Sequence, residues 1–161
     1  MMEQSTLYIW IKWIHLVATA AWIGGMMTNL FIYVPVIRKH LDPQVSGKLI
    51  RAVMGRFKML VYICIAVFVL SGVLLVALHG TVSGPLRAGD SWFLYFFGKL
   101  IVFLILVIFT VYAFEGLARA VAREAAKGPS PKLVRLQRRQ AVTALIAFAL
   151  ALLILLISSA L

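Results

Sequence analysis

Residues 59–78 read MLVYICIAVFVLSGVLLVAL, a run without a single charged side chain. About 20 such residues, wound as an α-helix, cross the ~30 Å hydrocarbon core of a bilayer. A soluble protein can bury a helix that is apolar all round only inside a large core, and this chain of 161 residues is too short to build one. Lipid offers no hydrogen-bond partners, so the run must satisfy its own backbone as a helix. It does not alternate apolar and polar residues, as a barrel strand would.

Working outward, three further apolar runs of spanning length lie at about 7–34, 92–115 and 141–161. The expected fold is therefore all-α, an integral membrane four-helix bundle forming a single transmembrane domain over 1–161. Composition agrees. The chain is 63% hydrophobic and only 13% charged, against about a quarter charged in soluble domains. The first run is broken by Lys12 and His15 and has no small-residue cleavage site, so it reads as a retained helix rather than a signal peptide.

The net charge of +11 comes from 16 Lys and Arg against 5 Asp and Glu. Thirteen of those sixteen cations fall between the first and second runs or between the third and fourth. Both segments are short, so the positive-inside bias puts them in the cytoplasm and both termini outside, in the periplasm of a bacterial inner (cytoplasmic) membrane. The same bias accounts for the basic balance without a nucleic acid partner. Asp42-Pro43 and Gly128-Pro129-Ser130-Pro131 read as breaks. Residues 49–57 read as a short amphipathic interfacial helix. Residues 117–126 and 132–140 read as aqueous extensions of helices three and four. The lone Cys64 sits in an apolar run and reads as a packing residue.

Ionisable groups inside a span are costly and point to function. They are Lys12, His15, Lys99 and Glu115. Lys12 is shallow enough to snorkel, and Glu115 falls among interfacial charges. His15 lies roughly 12 Å and Lys99 roughly 10 Å below the outer face at 1.5 Å per residue. On helix one, Tyr8, Lys12, His15, Ala18, Trp22, Gly25 and Asn29 recur at steps of three and four and form one stripe. Gly24 and Gly25 allow close approach of a neighbour or of a flat ligand.

A neutral imidazole at His15 suits haem iron or copper, and bundles build such sites from inward side chains. The plainer alternative is a His hydrogen-bonded to a neighbouring helix. Lys99 could meet a haem propionate or, deprotonated by burial, act as a ligand. Its plainer alternative is a snorkelling anchor. Trp22 is deep enough to stack on a macrocycle or simply to fill space. His79 ends helix two at the outer boundary, where a copper path or a second axial ligand would want it. No second intramembrane His exists in the chain. Bis-His ligation would therefore need His79 or a second copy in a homodimer.

The segments Lys12-Trp13-Ile14-His15-Leu16 and Trp22-Ile23-Gly24-Gly25 give H-x6-W-x-G-G on a first membrane helix. Arg56-Phe57, Ser71-Gly72-Val73-Leu74, Gly98-Lys99-Leu100 and the basic stretch 135–139 extend the pattern. The chain thereby resembles the copper-resistance D (CopD-like) family and the related HemJ-type membrane proteins. The HemJ-type resemblance implies bound haem b and protoporphyrinogen oxidation, with His15 and Lys99 at the matching positions. The CopD-like resemblance implies copper import. Taken with the residues themselves, the leading expectation is a haem b protein passing electrons to a quinone or a partner protein. His15, Lys99, Trp22 and Gly25 would lie around the cofactor. Copper transport and a cofactor-free structural subunit of a larger membrane complex are the rivals.

Overall fold

The computed structural model describes residues 2–82 and 91–159, with side chains at 6–42, 45–78 and 94–159. The connection around Gly84 and Pro85, a turn-rich composition, lies outside the described residues. Within them every regular element is helical. α1 (Met2–Thr28) passes through a π-helical turn, Asn29–Tyr33, into α2 (Val34–His40). α3 (Pro43–Val82) follows, then α4 (Ser91–Val111), a second π turn at Tyr112–Leu117, α5 (Ala118–Ala125) and α6 (Pro131–Ser158).

Among the described residues four stretches are long and apolar enough to cross a membrane: Thr6–His40, Val45–Leu78, Leu94–Ala125 and Pro131–Ser158. The protein is thus all-α, with four long helices consistent with a four-pass membrane bundle. Large aliphatic side chains stay bare along these rods, as at Leu70, Leu94 and Leu156, each 67% exposed or more. Water would not tolerate so much contiguous apolar surface on so small a chain, and lipid does.

Local chemistry sets the ends. Leu41 is extended, with φ −121° and ψ 146°. Asp42 precedes a proline, which disfavours helical backbone there. Pro43 then opens α3, and Ser46 N donates to Asp42 O at 2.8 Å. At the other turn Gly128 takes φ +104°, a left-handed value that only glycine adopts without strain. Ser130 caps α6 by accepting from Leu133 N at 3.1 Å, and Pro131 fills the first helical position, where no amide proton is needed. Inside the first rod, Pro35 falls in the opening turn of α2. Val34 N donates to Asn29 O, five residues back. The π turn therefore re-registers the ladder just ahead of the residue that cannot donate.

One expectation changes. Residues 49–57 form no separate interfacial helix; they are the first turns of α3, which runs unbroken from Pro43. No proline interrupts it, Gly47 and Gly55 keep ordinary negative φ, and Leu49, Ala52 and Met54 are good helix formers.

The chain divides into two compact units, 1–93 and 94–161. In the first, α1 packs antiparallel along α3. Buried positions are Ile11, Ala18, Trp22 and Met26 on α1, Asn29 in the π turn that follows, and Ser46, Val61, Cys64 and Ser71 on α3. In the second, α6 approaches α5 and the π turn beside it. Its buried positions are Leu106, Thr110, Leu117, Thr143, Ala147 and Ala151.

Candidate functional site

The inner line of α1 is set by helical period and by residue size. Ile11, Ala18, Trp22 and Met26 are buried, and His15 lies half-buried among them. Lys12 is exposed, one position off that line. Its place suits an ammonium that leaves the apolar level along its own stem.

His15 reaches across to α3. Its Nδ1 lies 2.7 Å from Ser71 Oγ, and Ser71 Oγ lies 2.5 Å from Val67 O. A carbonyl oxygen can only accept, so the single hydroxyl proton of Ser71 goes to Val67. Ser71 Oγ must then accept at the imidazole, which makes His15 the donor through Nδ1–H. The basic lone pair of the neutral ring therefore sits on Nε2. This is the arrangement in which a second partner fixes a metal-ligating histidine's tautomer. Thr19 Oγ1 donates to His15 O at 2.9 Å, so that hydroxyl is also satisfied within the helix.

The aromatic neighbours belong to the same hairpin. Phe68 meets His15 edge-on, with ring centroids 5.0 Å apart at 63°. The same ring stacks on Trp22 at 5.5 Å and 27°. Trp22 is only 4% exposed, and its partner here is Phe68. Gly25 has an equally concrete reason to lack a side chain: a Cβ there would sit 2.5 Å from Phe57 Cε2. Both residues thus take part in the close packing of α1 on α3.

Lys99 stands half-buried on α4 in the second unit. His79 falls in the last turns of α3, and its side chain lies outside the described ones. Glu115 sits in the second π turn and pairs with Arg119 one turn on, as interfacial charges do. No three of His, Cys, Asp and Glu gather into a metal-holding group among the described residues.

Residues 17–127 match a family described only as a domain of unknown function, DUF4149. The chain belongs to the DUF4149 family. The match begins two residues beyond His15 and takes in Trp22, Gly25, Ser71 and Lys99. No curated protein and no solved structure matches this DUF4149 chain.

Sequence reasoning took in Ser71 only as part of the Ser71-Gly72-Val73-Leu74 pattern and passed over Phe68. A signal for Ser71 was present. It is the one aliphatic hydroxyl in 59–78, and a hydroxyl at membrane depth seeks a partner on its own helix or the next.

Proposed function

We propose that this DUF4149 protein binds haem b through His15 Nε2 and carries electrons within the membrane, to a quinone or to a partner protein. The observation that carries the reading is the hydroxyl relay from Nδ1–H through Ser71 to Val67 O. It holds the ring in the tautomer whose Nε2 can ligate, and it does so at a level where a bare polar ring is expensive. Haem b would supply one-electron chemistry there. The chain's own part is to orient the imidazole: Ser71 fixes its plane, and Phe68 flanks it.

Lys99 is the second candidate, as a ligand or a propionate partner, and the HemJ-type resemblance points to the same two residues. A second copy could instead provide another His15. Within this reading the basic loops face the cytoplasm, the termini lie outside, and the membrane is the bacterial inner membrane. Copper import of the CopD type is a rival reading that would use His15 and His79.

A second reading has its own observation. Phe68 contacts both His15 and Trp22, so the imidazole also serves as a polar tie inside the hairpin. On that reading the protein is a structural subunit of a membrane complex.

Absorption spectra of protein purified with ample haem, oxidised and reduced, separate the two. The haem reading expects a Soret band that His15→Ala abolishes and Ser71→Ala shifts. A wild-type protein without that band removes it and leaves the structural tie.

A further inference from the structure

The first π turn borders a cleft of about 340 Å³ between the basic ends of the first two rods. Thr28, Asn29 and Tyr33 line one wall; Arg56, Phe57 and Leu60 line the other. Its volume is near the lower limit for small-ligand sites.

Asn29 is the unusual member. It is 7% exposed, and its Nδ2 donates to Gly25 O at 2.8 Å. Exchanging the amide's nitrogen and oxygen would set two acceptors against each other, so the orientation is fixed by chemistry. Oδ1 is consequently a buried acceptor, and it has no hydrogen-bond partner. Native proteins rarely leave such an atom unmet without a reason, often an unseen ligand or water. The missing partner must be a donor.

Charge narrows the occupant. Arg56 is an exposed cation in the cleft wall, and no carboxylate lines the cleft. Arg51 and Lys58 flank it on the same helix and deepen the positive field, which attracts anionic headgroups at a membrane surface. Phe31 and Ile32, beside the cleft residues on helix one, are exposed aliphatic and aromatic surface suited to acyl chains. Arg56 and Leu60, in the wall facing Asn29, are exposed as well.

We propose that this cleft seats the headgroup of a hydroxyl-bearing anionic phospholipid, phosphatidylglycerol, with its phosphate on Arg56 and a glycerol hydroxyl donating to Asn29 Oδ1. The π turn opens the backbone where the headgroup enters, a use such turns often have. The site is independent of His15 and of any haem.

The test uses the full chain in phosphatidylcholine nanodiscs doped with either phosphatidylglycerol or phosphatidylmethanol, which has the same charge and no headgroup hydroxyl. Lipid retention is read by native mass spectrometry. Wild-type protein is expected to prefer phosphatidylglycerol by about tenfold, the scale of one hydrogen bond to a buried group. Asn29→Leu should erase that preference while still retaining both anionic lipids over phosphatidylcholine. Arg56→Gln, a surface change that leaves the fold intact, should reduce retention of both. Equal retention of the two anionic lipids by wild-type protein would overturn the proposal and assign Oδ1 to a water. Displacement of the lipid by soluble glycerol phosphate or by a quinol would also overturn it, in favour of a different occupant. If Asn29→Leu fails to fold, the wild-type lipid pair and Arg56→Gln decide the matter alone.

Discussion

The two hairpins bury different kinds of side chain. In the first, an indole, an imidazole, a serine hydroxyl and a carboxamide lie on or beside the seam between α1 and α3, and Phe68 and Phe57 interlock with them. In the second, the buried positions are Leu, Thr and Ala, and α6 comes nearest to its partner at the turn, against α5 and the neighbouring π turn. Both hairpins carry a π turn near their basic end, yet only the first sets a buried amide in it. Polar groups at membrane depth stay only where something satisfies or uses them. The first hairpin thus buries the greater variety of polar side chains, while the second adds the half-buried Lys99 to a seam of Leu, Thr and Ala.

Four substitutions sharpen that contrast, each read as a shift in unfolding midpoint in mixed micelles. Trp22→Ala should have the largest effect, about 3–5 kcal/mol, as expected for emptying a buried aromatic site. A loss well under this would mean that the Trp22–Phe68 stack does not hold the first hairpin. Gly25→Ala drives a methyl into Phe57 and should destabilise by about 1–3 kcal/mol, the usual penalty of overpacking. Adding Phe57→Leu should recover most of that loss, and an additive double variant would refute the contact. Gly128→Ala, in the turn of the second hairpin, should lose about 1 kcal/mol from the left-handed backbone alone. It should leave any His15-dependent spectrum unchanged. Ser71→Ala should have the smallest effect, roughly 0.6 kcal/mol for one hydrogen bond between membrane helices, but it releases the imidazole's tautomer. Nitrogen chemical shifts of labelled His15 would show this directly. Protonated Nδ1 in the wild type and mixed tautomers in the variant are the expected pair.

Much of the fold could be read from the chain. Residues 59–78 demand a membrane helix, and Asp42-Pro43 and Gly128 to Pro131 mark the turns through backbone rules that hold in any solvent. The unbroken course of α3 was harder to read, because Arg51 and Arg56 end the apolar run when hydropathy alone is followed, and 49–57 then reads as a separate interfacial helix. The stripe on α1 identified Ala18, Trp22 and Asn29 as inward. It misplaced Lys12 by one step, since seven residues at mixed spacing of three and four leave the face uncertain by about one position in each turn. The partners Ser71 and Phe68 depend on the register of α1 against α3, which a single sequence does not carry. Likewise Gly25 reads as a small residue for any close neighbour, and only the packed hairpin identifies that neighbour as Phe57.

The 40 residues of α3 rise to a length of about 60 Å, twice the ~30 Å slab they cross. No ordinary tilt hides such an excess, so the arginine-rich end runs on as regular helix through the headgroup level, with Arg56 there and the turns before it beyond the hydrocarbon. Arg51 and Arg56 are then held in regular helix, a poor substrate for a protease, while Lys127 sits at a bent chain reversal that fits an active-site groove. Brief trypsin treatment of the protein in detergent micelles should therefore nick it within its second hairpin, at Lys127, and leave residues 43–58 whole.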